Sequence, residues 1–156
     1  MISFALVSPN PFDFRTFAFA KHARHVVLVH FPIALLIAAV ALDLIAYWTK
    51  RRSVSDAAYY KLIVAALATI PVIARGIAAW QLQLEGQNLK GTLFLHLLLG
   101  SVSGALICLV WWRHFRVRKK GDELPAYRFA IETVALFVVM MTAHLGGSLS
   151  GVNTPG

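Results

Sequence analysis

The stretch Val26–Trp48, VVLVHFPIALLIAAVALDLIAYW, runs for 23 residues with a single acid, Asp43, a single histidine, His30, and no lysine or arginine. At 1.5 Å of rise per residue such a helix is roughly 35 Å long, enough for the hydrocarbon core of a bilayer. Three more segments have the same character: Ala57–Trp80, Thr92–Trp112 and Tyr127–Leu149. The reading is an all-α, four-helix transmembrane bundle of up-down-up-down topology, with helices at about 26–48, 57–80, 92–112 and 127–149. Tyr47, Trp48, Tyr59, Tyr60, Trp80, Trp111, Trp112 and Tyr127 fall near the expected ends, as an interfacial aromatic belt would. Ser53–Asp56 offers capping residues before the second helix and Pro125 suits the start of the fourth.

Composition agrees. The 156 residues are 58% hydrophobic and only 14% charged, with mean hydropathy +0.67, which excludes an ordinary soluble domain. Four crossings use most of the chain, so function has to sit inside or against one small membrane domain, 25–149. Residues 1–24 read as an interfacial or flexible segment that stays attached, because Arg15, Lys21 and Arg24 follow its short apolar opening. Residues 150–156 read as a tail. The single cysteine, Cys108, excludes an internal disulfide, covalent c-type haem attachment and cysteine-rich clusters.

The net charge of +8 is distributed by loop. Lys50, Arg51, Arg52, Lys61, Arg113, Arg116, Arg118, Lys119, Lys120 and Arg128 gather at one end of the expected bundle, whereas Arg15, Lys21, Arg24 and Lys90 lie at the other. By the positive-inside rule both termini are outside, periplasmic in a bacterial inner (cytoplasmic) membrane. The basic loops therefore read as topology and headgroup contact with the lipid bilayer, not as a nucleic-acid surface.

Function is sought in ionisable residues at membrane depth, which are expensive against lipid. His30, His96 and His144 fall at one level, roughly 6–8 Å from the outer boundary, and Arg75 of the second helix joins them. His30 shares a helical face with Ala34 and Ala41, His96 with Gly100 and Ser103, and His144 with Met140, Phe137 and Thr133. Small residues beside imidazoles suggest a cleft for haem b, with two of the three histidines as axial ligands and Arg75 on a propionate. His96 and His144 are the favoured axial pair. A three-histidine copper or zinc site is an alternative, as is a hydrogen-bonded packing network. Pro71 is expected to kink the second helix one turn before Arg75. His25 is a weaker candidate, while His22 and His114 read as facing solvent or headgroups. Cys108 and Met140 read as packing residues.

A second polar layer lies near the inner side, where Asp43, Lys61 and Glu132 have similar depths. Neither acid falls on its own helix's histidine face, so this layer reads as a carboxylate–ammonium network between helices and not as a proton wire. Nucleophile elbow, phosphate loop and dinucleotide fingerprint are all missing from the sequence, which argues against independent enzymatic activity.

Three strings carry a family likeness: Val29-His30-Phe31-Pro32-Ile33-Ala34-Leu35, His96 followed by Gly100, and Thr142-Ala143-His144-Leu145-Gly146-Gly147-Ser148-Leu149. Together they resemble the bacterial transmembrane family catalogued as domain of unknown function 2231, over His25–Leu149. That resemblance implies a four-helix membrane protein, and the fusion of some members to c-type cytochrome or Rieske-like domains implies an electron-transfer context. The functional expectation is a small membrane haem protein relaying electrons between a periplasmic cytochrome and quinone or a larger respiratory complex. Its rival is a non-redox structural or anchoring subunit with a buried His/Arg network.

Overall fold

The computed structural model describes residues 21–83, 91–121 and 125–149, so the expectations for residues 1–20 and 150–156 lie outside the described residues. Among the described residues there are four helices: α1 (Lys21–Thr49), α2 (Arg52–Gln83), α3 (Gly91–Lys120) and α4 (Arg128–Leu149). Each contains a stretch long and apolar enough to cross a membrane: Leu28–Thr49, Arg52–Ala78, Gly91–Lys120 and Arg128–Leu149. No strand occurs among the described residues.

Local chemistry sets the helix ends. The turn from α1 into α2 uses Lys50 in the left-handed region (φ 55°), its N–H bonded to Ala46 O at 2.8 Å. Gly121 ends α3 at φ 73°, a conformation that glycine adopts without a Cβ penalty, and its N–H reaches Arg118 O. Pro125 heads a tight turn whose carbonyl accepts from the Arg128 N–H at 3.1 Å, launching α4. Pro71 lies within α2 without ending it.

Consecutive helices pack in chain order, and α1 and α4 touch more lightly. The most extensive contact is between α1 and α2. Ala39 and Ala46 on α1 and Ala58 and Ala65 on α2 are all buried, each pair seven residues apart, so two turns of each helix repeat the same small face. Leu36, Leu62, Ile107, Val110, Ala135 and Val139 fill the space between the four helices. Along α3 the partners on α2 run backwards: Thr69 Oγ1 lies near Cys108 Sγ, and Arg118 reaches Asp56, so these neighbours are antiparallel. The same holds for α3 and α4, where His114 meets Glu132 and Ser103 Oγ meets Thr142 Oγ1 at 2.9 Å. Outward faces stay apolar, with Trp48, Leu67, Ile70, Phe137 and Met140 exposed as lipid-facing side chains are.

The largest difference from the sequence reading is the length of α3, which continues eight residues beyond Trp112. The aromatic pair and the basic string after it read as a loop, yet arginine and lysine are good helix formers. The buried positions Ser103, Ile107, Val110 and His114 follow one another at four, three and four residues, so one face stays interior through the extra turns.

Candidate functional site

The densest polar site lies at the basic end of the bundle and draws on three helices. Asp43 of α1, His114 of α3 and Glu132 of α4 are each 1% exposed, and Arg128 of α4 is 6% exposed. The Arg128 Nε–H donates to Asp43 Oδ2 at 2.5 Å, and Nη1–H donates to Pro125 O at 3.2 Å. His114 Nε2 and Glu132 Oε1 are 2.9 Å apart, with one proton between them. One ligand-capable atom from each of Asp43, His114 and Glu132 lies within 4.8 Å of the others. Asp43 Oδ1 and Glu132 Oε2 are buried without a hydrogen-bond partner. A small cleft between α3 and α4, lined by Val110, Arg113, His114, Arg128, Ile131 and Glu132, adjoins the cluster.

Packing explains why these residues meet. The side chain of Tyr47, one turn after Asp43, stacks edge-on against Phe129 at 5.3 Å between ring centres, which fixes α1 against the start of α4. The Arg128 guanidinium sits 4.2 Å from the Phe129 ring and 5.5 Å from that of Tyr47, so both its charge and its planar face are engaged. Nearer the surface, Arg118 Nη1–H donates to Asp56 Oδ1 at 2.6 Å and Nη2–H to Ser55 Oγ, with the guanidinium over Tyr59. Polar contacts at this end therefore reach all four helices.

The two ion pairs differ in weight. The Arg118 and Asp56 side chains are 27% and 39% exposed, so water screens them. Arg118→Ala is expected to lower stability by at most about 1 kcal/mol, read from the unfolding midpoint in detergent.

The inner network was legible in part. Asp43 and Glu132 do meet in a carboxylate network, but Arg128 supplies its cation, and half-buried Lys61 has no hydrogen bond or ion pair to it. His114, expected at the headgroups, is instead buried and bonded to Glu132, because α3 does not end at Trp112. The available signal was the four-residue spacing from Val110 to His114.

The outer layer is arranged differently. His96 points inward between α3 and α4, its Nδ1 3.1 Å from Thr142 O, so Nδ1 carries the hydrogen and donates. Gly146 leaves room for the ring: a Cβ there would lie 3.0 Å from His96 Cε1. His30 and His144 are exposed on the bundle surface, together with the residues that share their faces, Ala34 and Ala41 on α1 and Thr133, Phe137 and Met140 on α4. Arg75 is exposed on α2. Among the described residues, the group of three metal-capable side chains with ligand atoms within 4.8 Å is the inner one, and none of the outer histidines belongs to it.

No curated protein and no solved structure gives a significant match. A family model described as "Predicted membrane protein (DUF2231)" matches residues 21–153, which include all four helices. The chain belongs to this DUF2231 family of membrane proteins.

Proposed function

We propose that the chain is an anchoring subunit of the bacterial inner membrane, crossing it four times in up-down-up-down order with both termini periplasmic. It is locked at its cytoplasmic end by buried charge pairs and presents a histidine-bearing surface at its periplasmic end to another membrane component. The observation that carries this reading is the outward orientation of His30 and His144 on neighbouring helices, flanked by exposed Phe31, Phe137 and Met140. Imidazoles exposed beside large apolar groups on membrane-spanning helices suit a protein contact better than lipid chains. Extraction in lipid nanodiscs followed by native mass measurement tests it. The expected result is a defined complex heavier than the 17.2 kDa chain, weakened by His30→Leu with His144→Leu. A chain that is monomeric with and without those substitutions overturns it.

One observation favours a second, redox reading. A metal-bound histidine usually donates its other ring N–H to a carbonyl or carboxylate, and the His96–Thr142 bond leaves Nε2 as the free ligand atom. In this reading His96 and one of His30 or His144 hold haem b, Arg75 contacts a propionate, and the bound haem supplies one-electron transfer to a cytochrome, quinone or respiratory partner. The close packing of His96 against Gly146 leaves the macrocycle a place at the surface of the bundle and not between α3 and α4. A reduced-minus-oxidised visible spectrum of the purified protein decides it. A b-type signal lost in His96→Ala with the helix content retained supports haem, and no signal with stoichiometric copper or zinc supports the three-histidine metal alternative. No signal and no metal leaves the anchoring function alone.

A further inference from the structure

We propose that Asp43, His114 and Glu132 form a binding site for a divalent transition-metal ion of the zinc, iron(II) or manganese(II) class, at the end of the bundle opposite the outer histidines. Two carboxylates and one imidazole make a mixed oxygen and nitrogen donor set. The imidazole favours these ions over calcium and magnesium, and the lack of thiolate or thioether disfavours copper(I).

Four observations converge on the site. The three donors come from three different helices and lie within 4.8 Å of one another with no water-exposed face to speak of, each residue being 1% exposed. Asp43 Oδ1 and Glu132 Oε2 are buried and unpartnered, although an orphaned buried acceptor is normally avoided because its lost hydration is not replaced. Two ligands with bonds of about 2.1 Å lie roughly 3.0 Å apart at right angles and about 3.4 Å apart in a tetrahedron, so the 2.9 Å hydrogen bond between His114 Nε2 and Glu132 Oε1 has to open by at most about half an ångström to admit an ion. Finally, Arg128 holds Asp43 by its other oxygen, Oδ2, and so orients the carboxylate as an outer hydrogen bond orients a ligand in established metal sites.

Charge balance points the same way. Among the described side chains of the cluster, the two carboxylates and the Arg128 guanidinium leave one negative charge when His114 is neutral. On binding, the hydrogen of the His114–Glu132 bond moves to His114 Nδ1 or, where that nitrogen already carries one, leaves to solvent, His114 Nε2 and Glu132 Oε1 turn their lone pairs to the ion, and no electron is transferred. A dication whose bound water releases one proton to solvent restores neutrality, and the cleft beside His114 and Glu132 provides the open position.

The test uses full-length, chelator-stripped protein in detergent, titrated with zinc ion against a chromophoric indicator. The expected result is one tightly held ion per chain, with proton release, and affinity reduced at least about tenfold in Glu132→Gln and His114→Asn. Both variants keep side-chain size and hydrogen-bonding capacity, and thermal melts report whether each is folded. X-ray absorption of the zinc-loaded wild type gives a readout that depends on no variant: an oxygen and nitrogen shell with a single imidazole is expected. A shell of two or three imidazoles, no retained ion, or equal affinity in folded variants overturns the proposal. The anchoring function does not depend on the outcome, since its test reads the mass of a complex formed at the other end.

Discussion

Arg128→Met is expected to lower the unfolding free energy by about 3–5 kcal/mol, the largest loss from any single substitution at the basic end. Asp43 is 1% exposed and its Oδ2 accepts from Arg128 Nε, while its Oδ1 has no hydrogen-bond partner at all. Removing the guanidinium leaves the carboxylate without its hydrogen bond and without that cation, in a region where water cannot compensate. The desolvation of a charge is large, so the loss exceeds what the intact pair contributes relative to apolar residues. Asp43→Leu combined with Arg128→Met is therefore expected to regain most of the loss. Unfolding in mixed detergent and dodecyl sulfate micelles, followed by tryptophan fluorescence, measures both. If Arg128→Met is no more damaging than Arg118→Ala, the buried pair is not what locks α1 to α4.

Ala65→Leu is expected to cost about 1–3 kcal/mol by overpacking the core of the bundle. Ala65 is fully buried in the core cluster with Ala39, Leu36 and Leu62, and a leucine there has to place three added carbons in an interior that is already filled. Lipid is as apolar as leucine, so burying the added carbons brings no transfer gain to offset the overlap. The opposite holds at the exposed Leu67, two residues along the same helix, where Leu67→Ala is expected to change little. The same unfolding assay separates them. Equal effects at the two positions would mean that the core around Ala65 has room to spare.

Much of this was readable without coordinates, for identifiable reasons. Segments such as Val26–Trp48 declare a membrane helix by length and apolarity alone, because a bilayer demands roughly 20 such residues whatever the neighbouring helices do. The pairing of Asp43 with Glu132 in one layer followed from rise per residue, which fixes depth. Rotation about each helix axis did not follow. An exterior as apolar as the interior gives no amphipathic stripe, so the sequence did not say that Ala39 and Ala46 face inward while Ala34 and Ala41, with His30, face outward.

The sequence by itself determined that the chain forms four apolar helices, that its basic residues gather at one end, and that Asp43 and Glu132 fall in one layer, since each depends only on local composition and distance along a helix. Only the tertiary structure decided that α3 carries His114 into the interior to meet Glu132, that Arg128 closes on Asp43, and that His96 turns inward while His30 and His144 do not. Those choices depend on how each helix is rotated about its axis, and that rotation is set by close packing of the core around residues such as Ala39, Ala65 and Ala135 and by the need to pair buried charge.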